Sequence, residues 1–525
     1  MVSLNLLWSQ KISTNNNGIN LLKIIQGEHH GDMLGRSLES AGDINQDGYD
    51  DIMIGAPWAD SLRGYVYIYF GCENLDTMKK ITLYGENYGD HFGEEIANLG
   101  DINRDGNDDF LINAPCFELH KGKVYLYLGT GTESLELGKT YEGKQQSERY
   151  GVYVRGGGDI NGDGYNDFLI ERMPENYTLP PTSIDIYFGG KTIPDEPGLV
   201  LRDTTDCFGW ELEMIGDVNN DGYADVAVGG RSADINGFDA AGYFKVYFGS
   251  ARMDTIPDIE VYGSREYHQL GNCFCSGDFN GDGVTDFIVG SNGQGYVYFG
   301  NSNIDSIPDM VIGNTKIPCG YVGTAGDITG NGCDELLSGN PGWGGGSGVV
   351  DIYLGSANFD TIPDVRIYGQ YVSYFGEKLS TAGDINGDGL DEFLVGEPQY
   401  FLGIFNQGRV YVYSGDSTLL GIEDSGKIPT NPVKFNLLGN YPNPFNPRTT
   451  IAFDLPEESH VTLTIYDVMG REIVRLLDEN QPAGFRQVIW DGKDKSGQTV
   501  SSGNYLYTLK TPAGFSETKK MALMR

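Results

Sequence analysis

The chain up to residue 415 alternates short apolar runs with turns rich in Gly, Asn and Asp. One period contains four such runs, which are GEEIANLG (93–100), DFLINAP (109–115), KVYLYLG (123–129) and LGKTYEG (137–143). Short runs that are bounded by turn residues, or that alternate with a period of two, predict β-strands. Four consecutive strands joined by short loops predict one antiparallel meander.

An acidic loop between the first and second strands marks each period. The loop of the first period reads GDINQDGYDD at 42–51. The seven loops begin at Asp43, Asp101, Asp159, Asp217, Asp278, Asp327 and Asp384, so successive copies lie 58, 58, 58, 61, 49 and 57 residues apart. A single meander cannot bury both of its faces, so the copies must pack on one another. Radial packing of four-stranded sheets gives a β-propeller, and seven copies predict seven blades.

The two ends of the repeat region predict how the ring closes. The last copy stops after its third strand, GRVYVYSG (408–415), and has no clear fourth strand. A separate run near the N-terminus, LLKIIQG (21–27), is similar to the fourth-strand stretch ITLYG (81–85). We therefore expect residues 21–27 to form the outer strand of the last blade.

The acidic loops have the oxygen-rich spacing of a calcium-binding loop. A hard cation takes six to eight oxygens, which side chains at positions 1, 3, 5 and 9 and the backbone carbonyl of position 7 can supply. Position 6 is glycine in every copy, as a sharp turn requires. Position 12 is never acidic and is Ile54 in the first copy, inside a predicted strand, which excludes an EF-hand. Dockerin repeats, which come as one close pair followed by helices, do not fit seven copies either.

We predict calcium as the cofactor, with seven sites of unequal strength. The copy that begins at Asp327 has Thr329 and Asn331 at positions 3 and 5, so it loses a charge and should be the weakest site. The copy at Asp384 ends on Glu392, one methylene longer than Asp, and should still bind. The predicted ligands are Asp43, Asn45, Asp47, Tyr49, Asp51, Asp101, Asn103, Asp105, Asn107, Asp109, Asp159, Asn161, Asp163, Tyr165, Asp167, Asp217, Asn219, Asp221, Tyr223, Asp225, Asp278, Asn280, Asp282, Val284, Asp286, Asp327, Asn331, Glu335, Asp384, Asn386, Asp388, Leu390 and Glu392.

The repeat resembles the FG-GAP repeat of integrin α-subunit propellers over about residues 20–415. The matching elements are Phe92-Gly93, Phe208-Gly209, Phe375-Gly376 and Gly55-Ala56-Pro57, each near an acidic loop. The resemblance implies a propeller stiffened by calcium and used for binding. It does not imply an integrin, because the sequence shows no transmembrane segment and no leg-like region of comparable size.

The repeats end at Gly415, and a second domain follows a polar linker that carries proline, residues 416–434. Residues 435–525 contain alternating runs such as TTIAFDL, VTLTIYDV and NYLYTLK, which predict a small Ig-like β-sandwich. This segment closely resembles the C-terminal sorting domain of type IX secretion. The resemblance rests on the YPNPFNP stretch (441–447), IYDVMGREI (465–473), GNY (503–505) and the terminal KKMALMR. It implies a bacterial protein that is recognised by the type IX machinery and exported across the outer membrane.

The N-terminal segment, residues 1–20, departs from this interpretation. Exported cargo should begin with a signal peptide, but MVSLNLLWSQKIST has no basic region and only a short, broken apolar stretch. We expect the start to be truncated or miscalled. The predicted location is therefore extracellular or the bacterial cell surface.

Composition narrows the possible partners and activities. The chain has 36 Lys and Arg against 74 Asp and Glu, a net charge of −38, which argues against nucleic acid as a partner. Its seven Cys show no zinc spacing, and Cys273 and Cys275 should be small buried residues on one strand. Because no catalytic motif stands in a suitable context, we predict that the protein is not an enzyme. We also predict that it is a monomer.

The predicted function is ligand binding on the face opposite the calcium loops. Loops between strands 2 and 3 reach that face and vary in length, as a recognition surface on a rigid scaffold does. They carry aromatic residues predicted to be exposed, namely Trp58, Phe117, Tyr177, Phe238, Trp343, Tyr400 and Phe401. We expect an adhesion module for an extracellular protein or glycan. The alternatives are a polysaccharide-degrading glycosidase or lyase on a propeller scaffold, and a module that only presents other parts.

Overall fold

The computed structural model describes two compact units, residues 1–423 and 424–525. The residues described are 18–29, 31–174, 182–203, 205, 207–313, 321–369, 374–398, 400–401, 404–405, 407–417, 419, 435–441, 445, 447–456, 458–482, 484–512 and 514–524. Every named element apart from a few single turns is a β-strand, so the chain is all-β as predicted. Each unit has its own hydrophobic core.

The described part of the first unit contains seven four-stranded antiparallel sheets. Six of them are made of four strands that follow one another along the chain, and the seventh combines both ends of the unit. The strands are β1 (Asn20–Gln26), β2 (Ser37–Gly42), β3 (Asp51–Ala56), β4 (Tyr65–Tyr69), β5 (Lys80–Tyr84), β6 (Ile96–Gly100), β7 (Asp109–Ala114), β8 (Lys123–Gly129), β9 (Leu135–Glu142), β10 (Tyr150–Gly158), β11 (Asp167–Arg172), β12 (Ser183–Tyr187), β13 (Leu199–Arg202), β14 (Glu211–Gly216), β15 (Asp225–Gly229), β16 (Tyr243–Tyr247), β17 (Ile259–Tyr262), β18 (Phe274–Gly277), β19 (Asp286–Gly290), β20 (Gly295–Tyr298), β21 (Met310–Ile312), β22 (Tyr321–Gly326), β23 (Glu335–Asn340), β24 (Val349–Tyr353), β25 (Val365–Tyr368), β26 (Lys378–Gly383), β27 (Glu392–Glu397), the hairpin β28 (Tyr400–Phe401) with β29 (Ile404–Phe405), and β30 (Arg409–Ser414).

The predicted pairing between the two ends of the repeat region is confirmed. Strand β1 pairs antiparallel with β30, with Ile24 opposite Tyr411 and Ile25 opposite Val410. The sheet therefore has the order β1-β30-β27-β26, with the N-terminal strand at its outer edge. The first strand of each sheet contacts the first strand of the next, and β26 contacts β2, so these contacts run in a closed cycle.

Apolar residues between neighbouring sheets form the core of the first unit. Met53 and Ile68 of the first sheet pack with Ile112 of the second and with Phe92, which precedes it. Phe92 is fully buried, and the adjoining Gly93 has a φ of 82°, where a side chain would meet Val66. Where the FG element is present, its Phe thus lies just before the first strand of a sheet and packs in the core between that sheet and the preceding one.

Short turns join the second and third strands of three sheets. They are α1 (Ala59–Leu62), α2 (Phe117–His120) and α3 (Trp343–Gly346), and a 3-10 turn spans Leu75–Thr77. The two central residues of each of these three turns have left-handed dihedral angles, as at Asp60 and Ser61. These turns lie on the face opposite the acidic loops, because successive strands of a meander run in opposite directions.

The second unit consists of two antiparallel sheets around one core. Its strands are β31 (Asn436–Tyr441), β32 (Thr449–Leu455), β33 (Ser459–Asp467), β34 (Glu472–Gln481), β35 (Gly484–Trp490), β36 (Gly503–Lys510) and β37 (Ser516–Leu523). The sheet orders are β31-β32-β35 and β34-β33-β36-β37. Phe453, Leu463, Trp490 and Tyr507 are buried together between strands of both sheets. This is the arrangement of a small β-sandwich.

Ring closure by β1 predicts a sharp difference between two neighbouring isoleucines. Ile25 is 4% exposed and packs in the core between sheets, whereas Ile24 on the same strand is 41% exposed. We expect Ile25→Ala to lower the free energy of unfolding by about 2–5 kcal/mol, and Ile24→Ala to change it by less than about 0.5 kcal/mol. Urea denaturation of both variants measures this. Equal effects would contradict a closing role for β1.

Candidate calcium loops and the opposite loop face

Each acidic loop is folded by backbone N–H groups that donate to its own side chains. In the first copy, the N–H groups of Asp47 and Gly48 donate to the Asp43 carboxylate at 3.0 and 2.8 Å, and that of Tyr49 donates to Asp47 at 3.2 Å. The bond from position 6 to position 1 recurs in all seven copies at 2.6–2.9 Å. The position-6 glycines have φ between 82° and 93°, which only glycine adopts without strain. The seven loops thus share one geometry.

The acidic residue at position 9 is buried and fastens its loop to the end of the third strand. Asp51 accepts the N–H of Ile44 at 3.2 Å and the N–H of Gly71 at 2.9 Å, one on each carboxylate oxygen. Position 9 is fully buried in every copy. Burial raises the pKa of Asp51 to about 8, with a further increase from Asp47 and Asp43 and a partial offset from the two N–H donors. A nearby cation would stabilise the ionised form of this carboxylate.

The interior of the loops fits a cation that takes oxygen ligands. Asn103 and Asn219, at position 3 of their copies, each have a buried Oδ1 that accepts no hydrogen bond. Their amide groups donate to Asp105 and Asp221 at 2.9 and 3.0 Å, so amide and carboxylate meet inside the loop. Within the described residues, no three His, Cys, Asp or Glu side chains form a metal site by themselves. A cation here would therefore also need the Asn oxygen and the position-7 carbonyl, as the predicted ligand set supposes.

The copy that begins at Asp327 differs from the others in its side-chain contacts. The amide of Asn331, at position 5, donates to the carbonyl of Gly355 at 2.9 Å, a bond that the Asp carboxylate at position 5 of the other copies cannot donate. Thr329, at position 3, donates to Glu335 at 3.1 Å, as the amides of Asn280 and Asn386 do to position 9 of their own copies. That this copy is the weakest site remains a prediction.

The sequence analysis missed a contact between neighbouring loops that starts at position 8. Asp391 accepts the N–H of Asp327 at 3.0 Å and donates its own N–H to the carbonyl of Asp327 at 3.2 Å. The same reciprocal contact joins Asp334 to Asp278 and Asp50 to Asp384. Each such contact links one acidic loop to that of the preceding sheet. Position 8 is Asp in four of the seven copies, which the sequence shows, but the bonded partners lie 56 to 334 residues away.

The seven aromatic residues that were predicted to be exposed differ in their burial. Trp58 and Trp343 are half-buried, with Trp58 edge-on to His91 at 6.0 Å and Trp343 against Tyr368 at 5.2 Å between ring centroids. Phe238 is 38% exposed. Tyr177 lies outside the described residues, and Tyr400 and Phe401 form the short strand β28, with nothing described of their side chains.

The prediction that Phe117 is exposed is wrong. Phe117 is 5% exposed and packs with Phe92, Phe110 and Tyr125 between the first and second sheets. The ammonium of Lys123 lies 4.7 Å from the centre of its ring. The burial of this ring comes from its packing against aromatic residues of two sheets, which residue type did not reveal.

Comparisons with known proteins agree with the repeat and with the second domain. Residues 35–69, 274–299 and 375–413 match the FG-GAP repeat, and residues 443–514 match the FlgD Ig-like domain. The chain is 31% identical to integrin alpha-5 of Xenopus laevis over 208 residues, which are 36% of this chain and 20% of that one. It is 32% identical to human integrin alpha-6 over 175 residues, 31% of this chain and 15% of that one.

Three stretches of the first unit are thus similar to the FG-GAP repeat, and about a third of the chain is similar to integrin alpha chains. Part of the second unit is similar to the FlgD Ig-like domain. The chain spans a fifth or less of the length of these relatives. The alignment with PorZ, a bacterial surface component of the type IX secretion system of Porphyromonas gingivalis, covers 93% of this chain and 59% of PorZ at a TM-score of 0.37 and 12% identity. None of the helices described is long and apolar enough to cross a membrane.

Proposed function

We propose that this chain is a calcium-binding, seven-bladed propeller that recognises an extracellular protein or glycan. The observation that carries the proposal is the contrast between its two loop faces. Seven loops of one geometry lie on one face, whereas on the other face three loops share a left-handed turn and the remaining described loops differ from it in length and conformation. A uniform, stiff face and a varied face are what a binding scaffold needs.

In this proposal calcium supplies rigidity rather than chemistry. Each complete loop would hold the ion through its side chains at positions 1, 3, 5 and 9 and the carbonyl of position 7, which in the first copy are Asp43, Asn45, Asp47, Asp51 and Tyr49. The ion would offset the repulsion among three carboxylates in one loop. Hydrogen bonds such as that between Asp391 and Asp327 would then restrict the motion of one acidic loop relative to the loop of the neighbouring sheet.

The ligand would bind on the face that carries Trp58, Phe238 and Trp343. The two tryptophans are held against a second ring, so less side-chain entropy is lost when they bind. Half-buried aromatic rings with one accessible side are common anchors for sugars and proteins. The aromatic set, the varied turns and the acid-rich composition support an adhesive or glycan-directed module.

The second unit would direct export through the type IX secretion machinery. The motifs in residues 441–447, 465–473 and 503–505 and the terminal KKMALMR support this assignment. The match to an Ig-like domain is compatible with it. The protein would then act, as a monomer, outside the cell or at the bacterial surface, where millimolar calcium fills sites of even modest affinity.

Calcium binding predicts a stability difference between two matched variants. Asp278 and Asp327 each accept the N–H groups of positions 4, 5 and 6 at 2.7–3.1 Å, so alanine removes the same three backbone hydrogen bonds from both loops. We expect a similar loss of stability in chelator for Asp278→Ala and Asp327→Ala. In calcium, Asp278→Ala should lose up to about 2.7 kcal/mol more, the linkage term for one site at a hundredfold excess over Kd. Thermal unfolding with and without calcium measures this, and equal calcium-dependent losses would contradict the ranking of the sites.

The ligand face predicts a second difference, measured on a panel of glycans and matrix proteins. Trp58→Ala and Trp343→Ala should weaken saturable binding at least tenfold, because a buried aromatic anchor contributes more than about 1.4 kcal/mol. Tyr262→Ala is the control, since Tyr262 is 41% exposed on the outer strand β17. Unchanged binding by both tryptophan variants would place the ligand elsewhere. Turnover of a polysaccharide would favour an enzyme instead.

A further inference from the structure

A cavity of about 390 Å³ lies where the third sheet (β10 to β13) meets the fourth sheet (β14 to β17). It is lined by residues of the third acidic loop, of the connection from β12 to β13 with the start of β13, and of the connection from β16 to β17. These connections join third to fourth strands, so they lie on the same face as the acidic loops. The volume is within the range of about 300–1,000 Å³ that is usual for small-molecule sites.

The third sheet has a glycine at the cavity where the next three sheets have an aspartate. The N–H of Gly198 donates to the carbonyl of Ile186 at 2.9 Å, and the equivalent backbone bonds in the next three sheets start from Asp258, Asp309 and Asp364, at 2.8–2.9 Å. Each of these aspartates also accepts, on its carboxylate, the N–H of the residue that follows the third strand, at 2.8–2.9 Å. The third sheet therefore lacks one carboxylate that the next three sheets carry.

The ring of Phe188 takes the space that this aspartate side chain would need. A Cβ atom on Gly198 would lie 2.3 Å from the ring, so the ring covers the backbone of the glycine. Phe188, Leu199 and Met253 all line the cavity, are partly buried and pack at the edge of the core between the third and fourth sheets. Together they form an apolar wall, against which an apolar group would be removed from water.

The fourth sheet supplies an arginine to the same cavity. Arg252 is exposed and, within the described residues, makes no hydrogen bond or ion pair. It is the fifth residue after its third strand, and the residues at this position in the fifth and sixth sheets are Asn303 and Asn358. Two departures from the repeat thus meet at one cavity, the loss of an aspartate and the gain of an arginine. Both make this cavity more positive than the equivalent places between the following sheets.

The other charged residue that lines the cavity is already engaged by its own loop. One carboxylate oxygen of Asp163 accepts the amide of Asn161 at 3.0 Å, and the other accepts the N–H of Tyr165 at 3.0 Å. Asp163 is also a predicted calcium ligand. Among the residues that line the cavity, Arg252 is therefore the charged group that is available to a ligand, and it selects for an anion.

We propose that this cavity binds an organic carboxylate with a small apolar body. The guanidinium of Arg252 would hold the carboxylate through two parallel N–H bonds, and the apolar body would lie against Phe188, Leu199 and Met253. A more highly charged anion such as phosphate fits less well, because one arginine would have to hold it beside Asp163 in a chain of net charge −38. The site lies on the face opposite Trp58 and does not depend on the ligand proposed there.

Calorimetric titration of the full chain in excess calcium tests the chemistry of the ligand. Phenylacetate should bind saturably with one site per chain. Its affinity should be at least tenfold higher than that of phenylacetamide, which lacks the charge, and that of acetate, which lacks the apolar body. Equal affinity for phenylacetate and phenylacetamide, or no saturable binding, would overturn the proposal.

A peptide that ends in phenylalanine, compared with its C-terminal amide, distinguishes two sources of the same chemistry. Tighter binding of the free-acid peptide than of phenylacetate would assign the cavity to the C-terminus of a partner chain. Tighter binding of phenylacetate would assign it to a free acid. Equal binding of the peptide and its amide, with phenylacetate unbound, would contradict a carboxylate site.

Two variants that restore the residues of the other sheets test the named side chains. Arg252→Asn should leave the melting temperature unchanged and lower the affinity for phenylacetate at least tenfold, with the affinity for phenylacetamide unchanged. Gly198→Asp should displace the ring of Phe188 and abolish binding of both compounds. Arg202→Asn, which changes an exposed arginine at the end of β13, is the control and should bind as the parent does. Unchanged affinity in Arg252→Asn, or an equal loss in Arg202→Asn, would overturn the proposal.

Discussion

The buried carboxylate at position 9 of each acidic loop is the constraint on which the repeat depends. In the first copy it is Asp51, whose two oxygens take one N–H from its own loop and one from the end of the third strand. A single side chain thereby fixes the loop, the start of β3 and the end of β4 together. Because burying this negative charge is unfavourable, a cation in the proposed calcium site would stabilise both the loop and the strands that the carboxylate joins.

The repeat carries this arrangement around the ring through contacts that run from one sheet to the next. The reciprocal bonds between Asp391 and Asp327 join acidic loops, and Phe92 and its counterparts fill the core between sheets. Strand β1 closes the cycle by pairing with β30. The acidic loops thus make contacts that hold neighbouring sheets together, whereas the loops on the opposite face are free to vary in sequence. This difference is the basis for placing calcium on one face and the ligand on the other.

The sequence predicted the features that depend on local pattern. Period-two runs, turn residues and the orphan segment 21–27 indicated the strands and the closing pair, because each signal lies within a few residues. Side-chain contacts between distant residues were missed. The bond between Lys378 and Glu95 spans 283 positions, and the burial of Phe117 depends on its packing between two sheets, so neither could be found without the register of the sheets.

The most direct test of the account is a crystal structure of the chain in calcium, with anomalous scattering used to locate the ions. We expect one peak inside each of the six complete loops, within coordination distance of residues such as Asp43, Asn45 and Asp47, and a weaker peak in the loop of Asp327. Full occupancy at Asp327 with no peaks in the other six loops would contradict it. Peaks on the aromatic face instead would place the metal in the recognition site and remove the distinction between the two faces.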